Sequence, residues 1–378
     1  MSGEHKQTFT GRHIVNVRLT APGSEKITRH HEIGLDGAAV HYLPGDALGA
    51  HPHNDPALVD RIVTALSATG DELVPCSEGV AMPLYRALSE VYSLGAPSRR
   101  LIELMAARGA SDMTPLLDKT HAEELKHYTA GWNDAHDVLD VLEEHRGIHV
   151  TPEEFVATLR KTLPRLYSVA SSLKAHPDQV HLLVVNVQYT ARQRTHLGVC
   201  STWFADRWPI GATAEMYLQN QQKHFAMPAS GDTPMIMIGP GTGLAPFRAF
   251  LEERRVLGAR GRNWLFFGEQ RRATDFFYES QWAEYARDGF LRLDCAFSRD
   301  QREKIYVQHK MREQAHDIWA WLEAGAELFV CGDKERMAAD VDRELHAIVQ
   351  SAGGKTPEQA HEYVEHLRAD KRYKRDVY

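Results

Sequence analysis

The chain has 378 residues, enough for two domains, and its 43% hydrophobic and 25% charged residues are ordinary globular composition. A net charge of −7 is mild for this size and implies no general polyanion binding, and no apolar run approaches the roughly 18 residues of a membrane helix. Cys76, Cys200, Cys295 and Cys331 lie far apart with no Cys-x-x-Cys, which fits a reduced cytoplasmic protein and argues against zinc or iron–sulfur sites.

The first eight residues carry no apolar core, so no signal peptide is expected. Phe9–Thr20 alternates as a strand, and His30–Gly34 and Ala38–Tyr42 read as two more. The Pro44-Gly45 turn follows. From Asn54 to Gly147 the apolar spacing becomes helical, with Leu58, Ile62 and Leu66, then Leu84, Leu88 and Val91, then Leu101, Leu104 and Met105, then Val138, Leu139 and Leu142. His121, Glu123, Glu124 and His127 invite a metal reading. Their spacing is wrong for His-Glu-x-x-His, and a solvated helix face accounts for them; no metal site is expected. Thr151-Pro152-Glu153-Glu154 opens a helix. Strands return at Arg165–Ala170, Val180–Tyr189 and Ala212–Leu218.

Met235-Ile-Met-Ile238, Gly239-Pro-Gly241-Thr242-Gly243 and the apolar run from Leu244 read as strand, glycine turn and helix, with Phe247, Phe250, Leu251 and Leu257 near one face. Such a turn brings backbone amides and a helix N-terminus up to a phosphate, although tight connections use it too, and the spacing is not Gly-x-Gly-x-x-Gly. Strands at Trp264–Gly268, Leu291–Phe297 and Leu328–Cys331 alternate with helical stretches, which predicts a parallel sheet. Thr356-Pro-Glu-Gln359 has capping-box spacing, and Tyr373–Tyr378 ends the chain as a strand.

Several stretches carry chemistry. Arg165-Leu166-Tyr167-Ser168 offers a pyrophosphate clamp, a stacking ring and a hydroxyl; His196 to Trp203 offers a glycine turn with hydroxyls. Taken singly, a strand end and a helix cap explain them more simply. Ser298-Arg299-Asp300-Gln301 with Lys304-Ile305-Tyr306-Val307-Gln308 has the donors, charge and ring that a 2′-phosphate on adenosine needs, where a solvated loop is the plainer alternative. Glu269 points the other way: an acid ending that strand binds ribose hydroxyls and favours NAD. Cys331 ends a parallel strand, where such sheets bind ligands, and could simply be a buried apolar residue.

In this order, Arg-Leu-Tyr-Ser, Gly-Pro-Gly-Thr-Gly, Ser-Arg-Asp-Gln with Lys-Ile-Tyr-Val-Gln, and Val-Cys-Gly-Asp resemble the NADPH–FAD reductase module of the diflavin reductases. Within that family the resemblance is nearest to sulfite reductase flavoprotein subunits, and it runs from Tyr42 to Tyr378. It implies a ferredoxin–NADP reductase-like fold: an antiparallel FAD-binding β-barrel over residues 8–228, a helical insertion at 52–150, and a parallel-sheet, Rossmann-like NADP-binding domain at 229–378. For FAD it implies Arg165, Leu166, Tyr167 and Ser168, the strand residues Leu183, Val184, Val185 and Tyr189, and the turn Gly198, Val199, Cys200 and Ser201. For NADPH it implies Gly241 and Thr242 at the pyrophosphate, Ser298, Arg299, Lys304, Ile305, Tyr306, Val307 and Gln308 at the adenosine 2′-phosphate, and Asp340. Ser168, Cys331 and Asp376 are expected around the hydride-transfer locus, with Tyr378 stacked on the flavin. The two rings would then meet at a near-attack separation of roughly 3–3.5 Å.

The family carries an FMN domain ahead of this module, whereas here Met1 leads almost directly into the first strand. Either the acceptor is a separate protein, a sulfite reductase haemoprotein or a flavodoxin- or ferredoxin-like protein, with the helical insertion as docking surface, or the sequence is a truncated piece from which that domain was removed. Two alternatives stand beside this. A ferredoxin or flavodoxin could donate electrons toward NADP⁺, or the chain could act mainly by docking to a haem partner.

Overall fold

The computed structural model describes residues 6–76, 80–130 and 135–378. The chain forms two compact bodies, one of residues 1–49, 166–186 and 209–378, the other of 50–165 and 187–208.

The first body holds two sheets. The six-stranded sheet has the order Arg165–Ser168, Ala47–Ala50, Thr213–Gln219, Lys6–Arg18, Thr28–Gly34, Gln179–Val185. Lys6–Arg18 pairs antiparallel with both neighbours, as does Thr28–Gly34 with Gln179–Val185. Phe9 faces Met216 across this ladder and both are buried, so alternation sets the register. The expected strand at Ala38–Tyr42 does not form. The segment turns at Leu35–Ala38, and Tyr42 points inward, its hydroxyl 2.8 Å from both Ser171 Oγ and the Gln179 carbonyl; the strand is Ala47–Ala50 instead. The expected continuous strand Val180–Tyr189 is two, ending at Val185 and resuming at Gln188.

The second sheet is five-stranded and parallel, in the order Leu291–Phe297, Asn263–Glu269, Met235–Ile238, Glu327–Gly332, Tyr373–Val377. Its central strands are apolar throughout because both faces are covered: Ile236, Ile238 and Phe266 pack in one core, Met235, Met237 and Phe267 in another. The chain order reverses between Met235–Ile238 and Glu327–Gly332, the position where parallel sheets open a ligand crevice.

Helix Ala245–Val256 joins the two sheets. Arg248, only 8% exposed, donates to the Ala170 carbonyl at 2.6 Å and pairs with Glu252 at 2.7 Å, while Ser172 N–H donates to Glu252 at 3.1 Å. Phe247, Phe250 and Leu251 are buried as the spacing predicts; Leu257 is exposed because the helix ends at Val256.

The second body is wider than the helical stretch of 52–150: it adds residues 187–208, where Gln188–Ala191 pairs antiparallel with Arg194–Leu197. Pro56–Ala65, Leu84–Glu90, Arg99–Ala107, Val138–Glu144 and Pro152–Thr158 pack Ile62, Leu88, Met105, Leu139 and Phe155 into one core. Thr151 closes a capping box with Glu154. Glu123, Glu124 and His127 lie exposed on helix Ala122–Tyr128.

Candidate functional site

The glycine turn follows the buried strand Met235–Ile238. A 3₁₀ turn, Gly241–Leu244, leads into helix Ala245–Val256 with Pro246 in its first turn. Two glycines are there for different reasons. Gly241 has φ +58, a left-handed conformation that L side chains rarely adopt. Gly243 has no such φ, but a Cβ on it would lie 2.1 Å from the Cys331 carbonyl oxygen. The turn is thus pressed against the end of the adjacent strand.

A cavity of about 470 Å³ opens beside this turn. Of the residues expected at a dinucleotide, Gly241, Ser298, Arg299, Lys304, Tyr306, Val307, Gln308 and Asp340 line it. Backbone bonds shape its rim: Ser298 N–H donates to the Glu269 carbonyl at 2.9 Å and Arg299 N–H to that of Gln270 at 2.8 Å. Gln308 Nε2 donates to Asp340 at 3.1 Å. Ile305 instead packs half-buried against the sheet core. Sequence reasoning missed Lys26, Asp333 and Arg336, which also line the cavity. Asp333 was legible in part, since it follows Cys331-Gly332 at a parallel strand end; its carboxylate accepts from the N–H groups of Arg336 and Met337 at 2.7 and 3.0 Å, where helix Met337–Ser351 begins. Nothing local marks Lys26.

Ser168, Cys331, Asp376 and Tyr378 come together in the first body. Ser168 Oγ–H donates to Asp376 at 2.8 Å, and Cys331 Sγ lies 3.8 Å from the same carboxylate oxygen. Burial and the Asp376 charge push the Cys331 thiol well above its ordinary value, so it stays protonated. Parallel pairing brings this about by setting Cys331 opposite Asp376. Tyr378 is held by its backbone N–H on the Gly332 carbonyl at 3.2 Å and by its hydroxyl on Thr242 Oγ1 at 3.0 Å. The residue as a whole is 64% exposed.

The remaining expected residues divide. Leu166, Tyr167 and Ser168 lie on a strand of the first body, Leu166 and Tyr167 showing surface; Leu183 and Val184 are buried in the core, on a strand paired with Thr28–Gly34. Arg165, Tyr189 and Val199 line a cavity of about 440 Å³ within the second body, together with Arg194 and Arg207. Tyr189 stacks on His196 at 5.0 Å. Arg194 is neutralised by Asp137 and Asp140 at 2.6 and 2.7 Å. Gly198 admits no Cβ, which would meet Ser201 Oγ and Val187 Cβ at 2.6 Å. Ser201 Oγ accepts from Val187 N–H at 3.0 Å, and Cys200 is buried.

Residues 2–203 match the family described as FAD binding domain, and residues 237–343 match the oxidoreductase NAD-binding domain. The chain belongs to the FAD-binding domain family. The sulfite reductase [NADPH] flavoprotein alpha-component of Bacillus subtilis is 41% identical over 373 residues, that of Serratia proteamaculans 39% over 376, and that of Escherichia coli K12 41% over 367. These alignments take in 98, 99 and 96% of this chain but 61, 61 and 60% of the relatives, so the chain spans about three fifths of their length.

As an FAD-binding domain protein with a joined NAD-binding domain, the chain has a ferredoxin–NADP reductase-like fold and takes FAD and a nicotinamide dinucleotide as cofactors. Its own residues fit both. The first body offers the cavity with Arg299 and Lys304 beside a glycine turn that admits no Cβ at Gly243. The second offers a stacking ring, Tyr189, and the cavity-lining Arg207, whose buried Nε has no hydrogen-bond partner among the described residues. Among the described residues no helix is long and apolar enough to cross a membrane.

Proposed function

We propose that this chain takes hydride from NADPH and passes electrons to a separate acceptor, a sulfite reductase haemoprotein or a flavodoxin-like protein. The observation that carries the reading is the Ser168–Asp376–Cys331 cluster beside the glycine turn and under Tyr378. The names of the relatives support the sulfite reductase acceptor. FAD, when bound, supplies the hydride-accepting and electron-releasing chemistry.

The protein residues orient and guard. Gly241 and Thr242 present backbone N–H groups to the dinucleotide pyrophosphate, while Ser298, Arg299, Lys304 and Tyr306 hold the adenosine 2′-phosphate. Asp376 fixes the Ser168 hydroxyl, and the protonated Cys331 thiol adds a second donor toward the same carboxylate. This holds a negative charge and two polar hydrogens in place without solvent rearrangement. Tyr378 is a displaceable cover: the residue is exposed and its side chain is tied, among the described residues, by one hydrogen bond, worth about 1 kcal/mol, so an incoming ring can move it. In the second body Arg165 and Tyr189 offer FAD a cation and a stacking face.

The test is spectroscopic. Mass and absorption of the released cofactor should give FAD, and the yellow colour should bleach faster with NADPH than with NADH. A colourless preparation inert to NADPH refutes the reading. Electron delivery to a purified sulfite reductase haemoprotein and to a flavodoxin then decides the acceptor.

A further inference from the structure

Glu269 stands where it should oppose the ligand proposed above. An acid at the end of the second strand of a dinucleotide-binding sheet accepts the ribose 2′-hydroxyl and disfavours a 2′-phosphate there. Glu269 ends strand Asn263–Glu269, next to Met235–Ile238. Its side chain is 3% exposed, and its Oε1 lies 3.5 Å from where a Cβ on Gly241 would be, so the carboxylate overhangs the glycine turn. It shares its cavity with Arg299 and Lys304.

The carboxylate is not left to act on the ligand. Lys26 Nζ donates to Oε1 at 2.9 Å and to Oε2 at 3.2 Å, and Gln270 N–H donates to Oε2 at 2.8 Å. Both oxygens are engaged and the charge is balanced. Lys26 comes from the loop between the first two antiparallel strands, and that loop is tied down elsewhere: Ala21 N–H donates to the Thr274 carbonyl at 2.8 Å, and Ser24 Oγ–H donates to Asp275. The preceding residue, Glu25, pairs with Arg299. One dipeptide therefore sets the charge of the acid and of the base that face the adenosine end.

We propose that Lys26 is a specificity-determining residue: by neutralising Glu269 it turns a pocket with an NAD-type acid into one that accepts a 2′-phosphate. Glu25 is the stand-in partner of Arg299 that the phosphate replaces. This rests on the NADPH reading given above.

The ratio Kd(NAD⁺)/Kd(NADP⁺), measured by calorimetry on the flavin-loaded full chain, isolates the 2′-phosphate, because effects on the shared pyrophosphate cancel. Wild type should prefer NADP⁺. Lys26→Met should lower the ratio about tenfold, equivalent to about 1.4 kcal/mol. Adding Glu269→Gln to Lys26→Met should return the ratio to within about threefold of wild type, because the only task of the lysine is then gone. If Lys26→Met leaves the ratio unchanged, or if Glu269→Gln fails to restore it, the proposal is overturned: Lys26 then only holds the loop, or grips the phosphate itself. If wild type shows no preference for NADP⁺, the NADPH reading falls and this inference falls with it. Lys26 is 42% exposed, so its replacement leaves the core intact, and Glu269→Gln alone, which should raise the ratio, gives a second reading in a nearly isosteric variant.

Discussion

Alanine at Gly243 and at Gly241, two residues apart, should fail for different physical reasons. A Cβ on Gly243 would lie 2.1 Å from the Cys331 carbonyl oxygen and 2.7 Å from its carbon, where ordinary contact begins at 3.4 Å. Those atoms belong to a strand paired in parallel on both sides, so they cannot swing away as a side chain would. Turn and strand must part by more than an ångström, and overpacking of this kind costs about 1–3 kcal/mol. At Gly241 there is room, the nearest atom being Glu269 Oε1 at 3.5 Å, but φ +58 costs an ordinary L residue roughly 1–2 kcal/mol. Urea unfolding should therefore show similar losses for Gly243→Ala and Gly241→Ala. Asparagine, which tolerates the left-handed region, separates them. Gly241→Asn should recover part of the stability, and Gly243→Asn should be worse than alanine. NADP⁺ binding should weaken about tenfold in Gly243→Ala, which moves the turn away from Cys331, and far less in Gly241→Asn. Wild-type stability and affinity in Gly243→Ala, or recovery by asparagine at both positions, would refute the reasoning.

Further outcomes follow from other sites. Asp376→Asn removes the charge that orders Ser168 and Cys331, and should slow flavin bleaching by NADPH about 10²-fold with NADP⁺ affinity little changed; a normal rate would remove Asp376 from the mechanism. Arg299→Ala should weaken NADPH by about 1.5–3 kcal/mol more than NADH, and equal losses would undo the 2′-phosphate assignment. Arg248→Met removes one charged partner of the buried Glu252, which keeps Ser172 N–H, His176 and Gln281, and should destabilise by about 1.5–3 kcal/mol; an unaffected urea midpoint would contradict the role given to this pair. Burial lowers His31 to about 3 and His181 to about 2 from 6.5, so both are neutral in the folded protein. The unfolded chain takes up those protons first. Their contribution is thus intact above about pH 6.5 and is lost as pH falls toward 3, at about 1.4 kcal/mol per pH unit for each histidine. His181→Gln should flatten the pH dependence of urea unfolding over pH 6.5–5, and an unchanged slope would exclude His181 as a source.

What the residues alone settle here is local. Four apolar residues before Gly239 read as a short buried strand, and the three alternate glycines after them as a turn. Thr151 and Thr356 announce their helices because a capping box is closed by residues three apart. The order of the motifs was enough to suggest which cofactors to expect. The missed strand at Ala47–Ala50 shows the limit: Ala38–Tyr42 has the better alternation, but Tyr42 is drawn inward by Ser171, a partner 129 residues away. The Ser168–Asp376 bond spans 208 residues and the Lys26–Glu269 pair 243. No pattern of spacing encodes such distances. Parallel pairing sets Cys331 opposite Asp376, and a loop between antiparallel strands delivers Lys26, so the charge that Glu269 presents to a ligand is decided only when the chain has folded.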